Sequence, residues 1–170
     1  MPLNLMERVI FLRSSHVTQS LPDAALRLIA EVARESYFDA GDTIFYEEDL
    51  GTEMHLIVSG SVEVRKLGRR PPQGATGDEL GVVLTTLGTG DIVGEMSVLD
   101  DMPRSATVVA GSMVEVLSVH REDLRDAIAL CPDLAFGLFR VLSARLRATS
   151  AAAGPAAPGA VAAEDSLDQA

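Results

Sequence analysis

Two side chains of opposite charge stand nine residues apart beside a glycine: Gly94-Glu95-Met96-Ser97 and, past Asp100-Asp101-Met102-Pro103, Arg104-Ser105-Ala106-Thr107. Gly94 ends the apolar run Ile92-Val93 and lets the backbone approach a ligand closely. Residues 95–99 fit one or two helical turns, whose first amides are unpaired and suit an anion. Arg104 opens the next strand, and its planar fork can hold two oxygens of one phosphate. Glu95 would repel that phosphate, yet a carboxylate accepts well from a hydroxyl. Singly, Glu95 also fits a helix-start acid favoured by the macrodipole, and Arg104 an ordinary surface base. Together in one pocket they call for a ligand with a phosphate and a free hydroxyl close by.

A ribose 2′-hydroxyl beside a 3′,5′-cyclic phosphate meets that description. Other chemistry finds little support. His16, His55 and His120 are isolated from one another and from Cys131, so no metal site is expected and each histidine reads as a surface or half-buried polar residue. No serine sits in a nucleophile elbow and no glycine-rich loop carries a phosphate-binding lysine, so no catalytic residue and no cofactor are expected. Cys131 is the only cysteine, which excludes an internal disulfide and fits a small buried residue at a helix end.

The whole chain narrows the partners. Its 170 residues suit one domain, and 47% hydrophobic content with no Trp places the core on Leu, Val, Ile and Met. With 14 basic and 25 acidic residues the net charge is -11, a field that repels nucleic-acid backbones and anionic membrane surfaces. No nucleic-acid partner is expected, and a phosphate site must rest on a locally placed arginine. Glu7 and Arg8 come too early for a secretory signal, and no stretch reaches the roughly 20 apolar residues of a membrane span. The expectation is a cytoplasmic chain with no membrane span.

The elements that must position Glu95 and Arg104 follow from periodicity. Apolar residues at helical spacing predict a helix over 4–13 and a second from a Ser20 cap, with Pro22 in its first turn, to near Glu35. From there to about Val119 short β-prone runs alternate with glycine-containing breaks: 43–46, 54–59, 61–67, 82–87, 105–110 and 113–119. Many short strands with regular turns suggest a sandwich, a jelly roll or a barrel. Val62 and Val64 should face one side, with Glu63 and Arg65 on the other. The loop 68–79, rich in Arg, Pro and Gly, reads as mobile. Helices return over 121–130 and 133–150, the last with a stripe of Leu134, Leu138, Val141, Leu142 and Leu146. Residues 1–150 thus form the domain, and 151–170 an Ala/Pro-rich acidic tail expected to be disordered.

The segment from Gly94 to Thr107 resembles the phosphate-binding cassette of the cyclic nucleotide-binding domain family. Residues 40–45 and 57–64 are similar to that family's early hairpins, and Gly88-Thr89-Gly90-Asp91 to its turn before the cassette. The resemblance covers about residues 8 to 148. It implies an α+β, mainly β fold: an eight-stranded β-roll or jelly roll, flanked by N-terminal helices and two C-terminal helices. It implies that amides around Gly94, Glu95, Met96 and Ser97 meet the phosphate, that Glu95 binds the ribose 2′-hydroxyl, and that Arg104 clamps the phosphate. Ser105 would touch phosphate or base, Val93 would pack on the sugar, and Thr107 closes the binding set. Val93 stands where the family often has an aromatic residue.

The implied function is a cyclic AMP or cyclic GMP sensor, with cyclic AMP favoured, that signals by movement of its C-terminal helix. Regulators of transcription in this family carry a helix-turn-helix domain after the long helix, and only the acidic tail follows here. The output would then pass to an unknown effector protein or a fused effector domain, with a weak homodimer along the last helix as an option. The alternatives are a jelly-roll scaffold for protein contacts that binds no nucleotide, and a cupin-like metal enzyme.

Overall fold

The computed structural model describes residues 2–66 and 81–152. Helix α1, Leu5–Ser14, starts in a capping box: the Asn4 side chain accepts from the Glu7 amide at 3.0 Å, and the Glu7 carboxylate accepts from the Asn4 amide at 2.7 Å. Helix α2, Asp23–Val32, begins one residue after Pro22, which is itself the N-cap and supplies no side-chain bond. It stops at Val32, short of the expected end near Glu35. The reason is tertiary: Arg34–Phe38 is drawn into strand β1 by pairing with residues 114–118.

The strands are β1 Arg34–Phe38, β2 Thr43–Phe45, β3 Glu53–Ser59, β4 Ser61–Lys66, β5 Val82–Gly88, β6 Ile92–Val93, β7 Thr107–Ala110 and β8 Val114–His120. They form two four-stranded antiparallel sheets, ordered β1-β8-β3-β6 and β2-β7-β4-β5. This is the eight-stranded jelly roll with flanking helices that the family resemblance implies. Helix α3, Glu95–Asp100, interrupts the strands between β6 and β7, and α4, Arg121–Leu130, and α5, Asp133–Ala152, close the described chain.

Strand alternation divides the interior in two. On β8, Val114, Val116 and Ser118 face into the roll, while Leu117 and Val119 face the helices. The roll holds Ile57, Val62, Val93, Val108 and Ala110. The helix side holds Leu12, Leu26, Ile29, Met54, Leu56 and Leu124. Both faces of β3 and β8 are therefore covered, which is why these strands read as nearly continuous apolar runs. On β4 the expected alternation is present: Val62 is buried, and Glu63 pairs with Arg65 at 2.5 Å.

Several expectations change. Helix α5 runs to Ala152, two residues past the boundary drawn at 150; the rest of the tail, like the loop 68–79, lies outside the described residues. Its apolar stripe is split. Leu134 and Leu138 are core residues, Val141 and Leu142 are half-buried, and Leu146 is exposed together with Phe136 and Phe139. His55 is buried rather than half-exposed, because its position on β3 points into the roll, where it stacks on Phe45. Cys131 is half-buried at the end of α4.

Candidate functional site

A cavity of about 660 Å³ opens between the second sheet, α3 and the distal part of α5. Seven of the eight residues singled out by sequence line it: Val93, Gly94, Glu95, Met96, Ser97, Arg104 and Ser105. Thr107 is placed apart. It is fully buried on β7, and its hydroxyl accepts from the Glu47 amide at 2.9 Å, which holds the β2 end against the sheet.

The cassette is built around Arg104. Strand β6 ends at Gly94, whose φ of 77° is left-handed, a conformation glycine adopts without a Cβ penalty. The same absence of a side chain matters for space: at Gly94, and at Gly51 on the other side, a Cβ would run into the Arg104 guanidinium. The Arg104 backbone is pinned by bonds from its amide to Asp49 O at 2.8 Å and from the Glu48 amide to its carbonyl at 2.9 Å. Among the described residues, the non-glycine positions with positive φ are Glu48 and Asp101, at 70° and 60°, and both border this segment.

Arg104 is only 6% exposed. Its Nη1 donates to Gly94 O at 2.8 Å, its Nη2 to Glu53 O at 2.6 Å, and the guanidinium carbon stands 4.0 Å from the centre of the Phe45 ring. Its Nε is buried with no partner. Burial pushes the guanidinium below its ordinary pKa; Glu53 and Glu95 oppose that shift and the nearby Arg121 charge adds to it. An arginine remains cationic through such a shift. His55, beside it in the roll, is pushed down to about 4 by burial and then by the Arg104 charge, and its Nδ1 lies 2.8 Å from Ser118 Oγ.

Glu95 is the first residue of α3, with its side chain 3% exposed. Its Oε1 accepts from Arg145 Nη1 at 2.5 Å, and Arg145 Nη2 donates to Ile92 O. Glu95 thus pairs with the last helix and not with Arg104. Ser97 is buried, and the Ser105 hydroxyl lies 3.9 Å from the Met96 sulfur.

Other lining residues carry no sequence signal strong enough to single out: Phe45, Val64, Leu84 and Thr85 from the sheet, and Ala148 from α5. The sequence shows Arg145 only as one of three arginines on that helix, with Arg140 and Arg147, and leaves open whether one of them faces the ligand or the tail acids. Its break in the apolar stripe is the signal that it points somewhere other than solvent. Among the described residues no group of three or more metal-ligating side chains occurs, and no helix is long and apolar enough to cross a membrane.

Comparison with known proteins gives a consistent picture. The model of the cyclic nucleotide-binding domain matches residues 35–130. The chain is 33% identical over 134 residues to the CRP-like cAMP-activated global transcriptional regulator of Mycobacterium tuberculosis, an alignment covering 79% of this chain and 56% of that protein. It is 32% identical over 111 residues to a cAMP-dependent protein kinase regulatory subunit of Eremothecium gossypii, covering 65% of this chain and 22% of that one. Among solved structures, the Thermus thermophilus catabolite activator protein superposes with a TM-score of 0.67 at 31% identity, over 81% of this chain and 61% of that one. The chain therefore spans little more than half the length of its mycobacterial relative. The expectation of no nucleic-acid partner finds no support here, since that relative is named a transcriptional regulator.

Proposed function

Since the chain belongs to the cyclic nucleotide-binding domain family, we propose that it is a regulatory sensor that holds a cyclic nucleotide in the cavity between α3, β7 and α5 and catalyses no reaction. One observation carries the reading: Arg104 lines the cavity, and its Nε is buried with no partner. A buried donor left without a partner costs about 1–3 kcal/mol, and more when it is charged. A phosphate oxygen brought to that Nε supplies the missing acceptor and compensates a cation that burial disfavours. The overall charge of -11 repels anions elsewhere, which makes this point the locally favourable one.

The remaining roles follow from position. Gly94, Glu95, Met96 and Ser97 line the same cavity, and their amides donate to the other phosphate oxygens. Glu95 takes the ribose 2′-hydroxyl, with Arg145 beside it on the α5 side. Val93 supports the sugar, and Ser105 stands near enough to reach phosphate or base. Because α5 contributes Arg145 and Ala148 to the lining, ligand binding changes what the helix packs against. A ligand can shift that helix only by the difference in its affinity for the two arrangements. The signal then passes to an effector, a partner protein or an adjoining domain, in the cytoplasm.

Cyclic AMP is the proposed ligand, as the names of the relatives suggest. A calorimetric titration with cyclic AMP and cyclic GMP tests this directly. Saturable binding of cyclic AMP at micromolar concentration is expected; no heat with either nucleotide would remove the proposal. A cyclic GMP affinity more than tenfold tighter would overturn the ligand choice alone. The 2′-hydroxyl contact has its own test in a double cycle. Glu95→Gln and the 2′-deoxy nucleotide should each weaken binding, and their combined loss should be little more than either alone; additive losses would separate the two groups.

A further inference from the structure

Outside the cavity lining lies a second, half-buried guanidinium, that of Arg121. Arg121 is the first residue of α4, where a cation opposes the helix macrodipole. Its position needs another explanation, and its contacts supply one. Nη2 donates to Gly51 O at 2.5 Å and to Ser97 O at 2.7 Å, Nη1 pairs with the Asp101 carboxylate, and the main-chain amide donates to Thr52 O at 2.8 Å. Asp101 caps the C-terminal end of α3 and also pairs with Arg125, one turn further along α4, at 2.9 Å.

These partners have a common geometry. Gly51 is the residue against which the Arg104 guanidinium lies, with no room for a Cβ between them. Ser97 belongs to α3, whose N-cap Gly94 also packs against that guanidinium with no room for a Cβ. One planar cation therefore ties together the two backbone segments that set the width of the Arg104 slot. We propose that Arg121 is a positioning residue of the nucleotide site, holding Gly51 and α3 at the spacing that lets Arg104 present its free N–H edge to phosphate. It also fastens that slot to α4, so that a shift of α3 is felt at the root of the C-terminal helices. This role rests on the cyclic-nucleotide reading of the cavity.

A lysine keeps the charge but cannot span two carbonyls and a carboxylate in one plane. That difference separates positioning from long-range attraction. Cyclic AMP affinity and thermal unfolding are measured for the whole chain, for Arg121→Lys, Arg121→Gln and Arg104→Ala, and for each Arg121 change combined with Arg104→Ala, using millimolar nucleotide where binding is weak. Arg121→Gln should weaken binding about 5- to 30-fold, and Arg121→Lys should recover less than half of that loss on a logarithmic scale. With Arg104 already removed, either change should cost less than about twofold more. Wild-type affinity in Arg121→Lys would assign the effect to charge alone and overturn the proposal. So would equal losses with and without Arg104, which mark a general structural role. If Arg121→Gln unfolds at the assay temperature, the cycle built on Arg121→Lys separates the same two outcomes. A wild-type chain that binds neither cyclic AMP nor cyclic GMP fails the nucleotide reading first, whatever Arg121 does, and this role with it.

Discussion

Beneath α2 and α4 the interior is made of Leu12, Leu26, Ile29, Leu117 and Leu124, each no more than 2% exposed, whereas the wall around Arg104 buries Glu95, Ser97 and the guanidinium itself. The first region is held by apolar burial, which is non-directional and tolerates exchange of one aliphatic shape for another. The second is directional throughout. It has carbonyl acceptors aimed at Arg104 and Arg121, two glycines where a Cβ would collide, and two non-glycine residues in the left-handed region. Left-handed backbone at such residues costs roughly 1–2 kcal/mol each, which the helix-side core must offset. The contrast implies that stability and binding are separable in this molecule, and each can be attacked alone.

The largest effect on stability should come from the helix side. Leu26→Ala removes a fully buried side chain from α2 and should lower unfolding free energy by about 2–5 kcal/mol. Nucleotide affinity of the molecules that remain folded should stay within about twofold, because Leu26 does not line the cavity. Denaturant unfolding with parallel calorimetry reads both, and a matching loss of affinity would dissolve the distinction between the regions.

Arg104→Ala makes the converse case. Losing a charge-assisted, bidentate contact to phosphate should cost about 2–4 kcal/mol, or roughly 30- to 1000-fold in affinity. Stability should change little, because the substitution also removes a buried Nε with no partner. An unchanged dissociation constant would sink the phosphate assignment, and a collapse of the fold would show that the guanidinium is part of the core.

A smaller effect tests where the two regions meet. His55 is held down to about 4 inside the roll, against an ordinary value near 6.5. Its folded value lies below its unfolded one, so the unfolded chain binds the extra proton between those values. The neutral, buried ring thus contributes stability that is fully present above pH 6.5 and is lost as pH falls towards 4. Between pH 6.5 and pH 5 the loss should be about 2 kcal/mol. His55→Gln should flatten that part of the stability curve relative to the native chain; parallel curves would mean that the ring is not buried neutral.

Much of this is legible in the sequence, for reasons that differ by element. The strands and their turns are readable because period-2 alternation and glycine breaks are local signals, as with Val62 and Val64 against Glu63 and Arg65. The end of α2 is misplaced by a local reading because Arg34 to Phe38 obeys a partner strand some 80 residues away, which no local period reports. Glu95 and Arg104 stand out through their spacing beside Gly94. Their partners do not: Gly51 is 53 positions before Arg104, and Arg145 is 50 after Glu95. Phe45 escapes for the same reason, since an aromatic in a β-run reads as core whether or not a cation sits on its face. His55 reads as a surface or half-buried residue because nothing in Met54-His55-Leu56 tells which face of β3 points into the roll.

The subtlest test concerns α5, where the two kinds of interior lie on a single helix. Leu134 and Leu138 anchor its first turns in the apolar core, while Arg145, further along, reaches Glu95 and Ile92 O across the cavity. Beyond Val141, which still packs against the core, Arg145 supplies the polar hold on the helix, with Leu146 69% exposed. A 2′-hydroxyl arriving at Glu95 must either share the carboxylate with Arg145 or displace it, and both outcomes change what holds the distal turns. No residue of the first turns lines the cavity. Amide hydrogen exchange with and without saturating cyclic AMP should therefore differ over residues 140–148 by a few-fold to about tenfold in rate, with little difference over 133–139. Arg145→Gln should shrink the distal difference, because the carboxylate then has no guanidinium to trade. Equal protection along the whole helix in both states would make α5 a static part of the core and leave the signal to be carried through Arg121 and the root of α4. A change spread evenly from residue 133 would instead mean that the helix moves as one body, and that the Leu134 and Leu138 anchor is weaker than its burial implies.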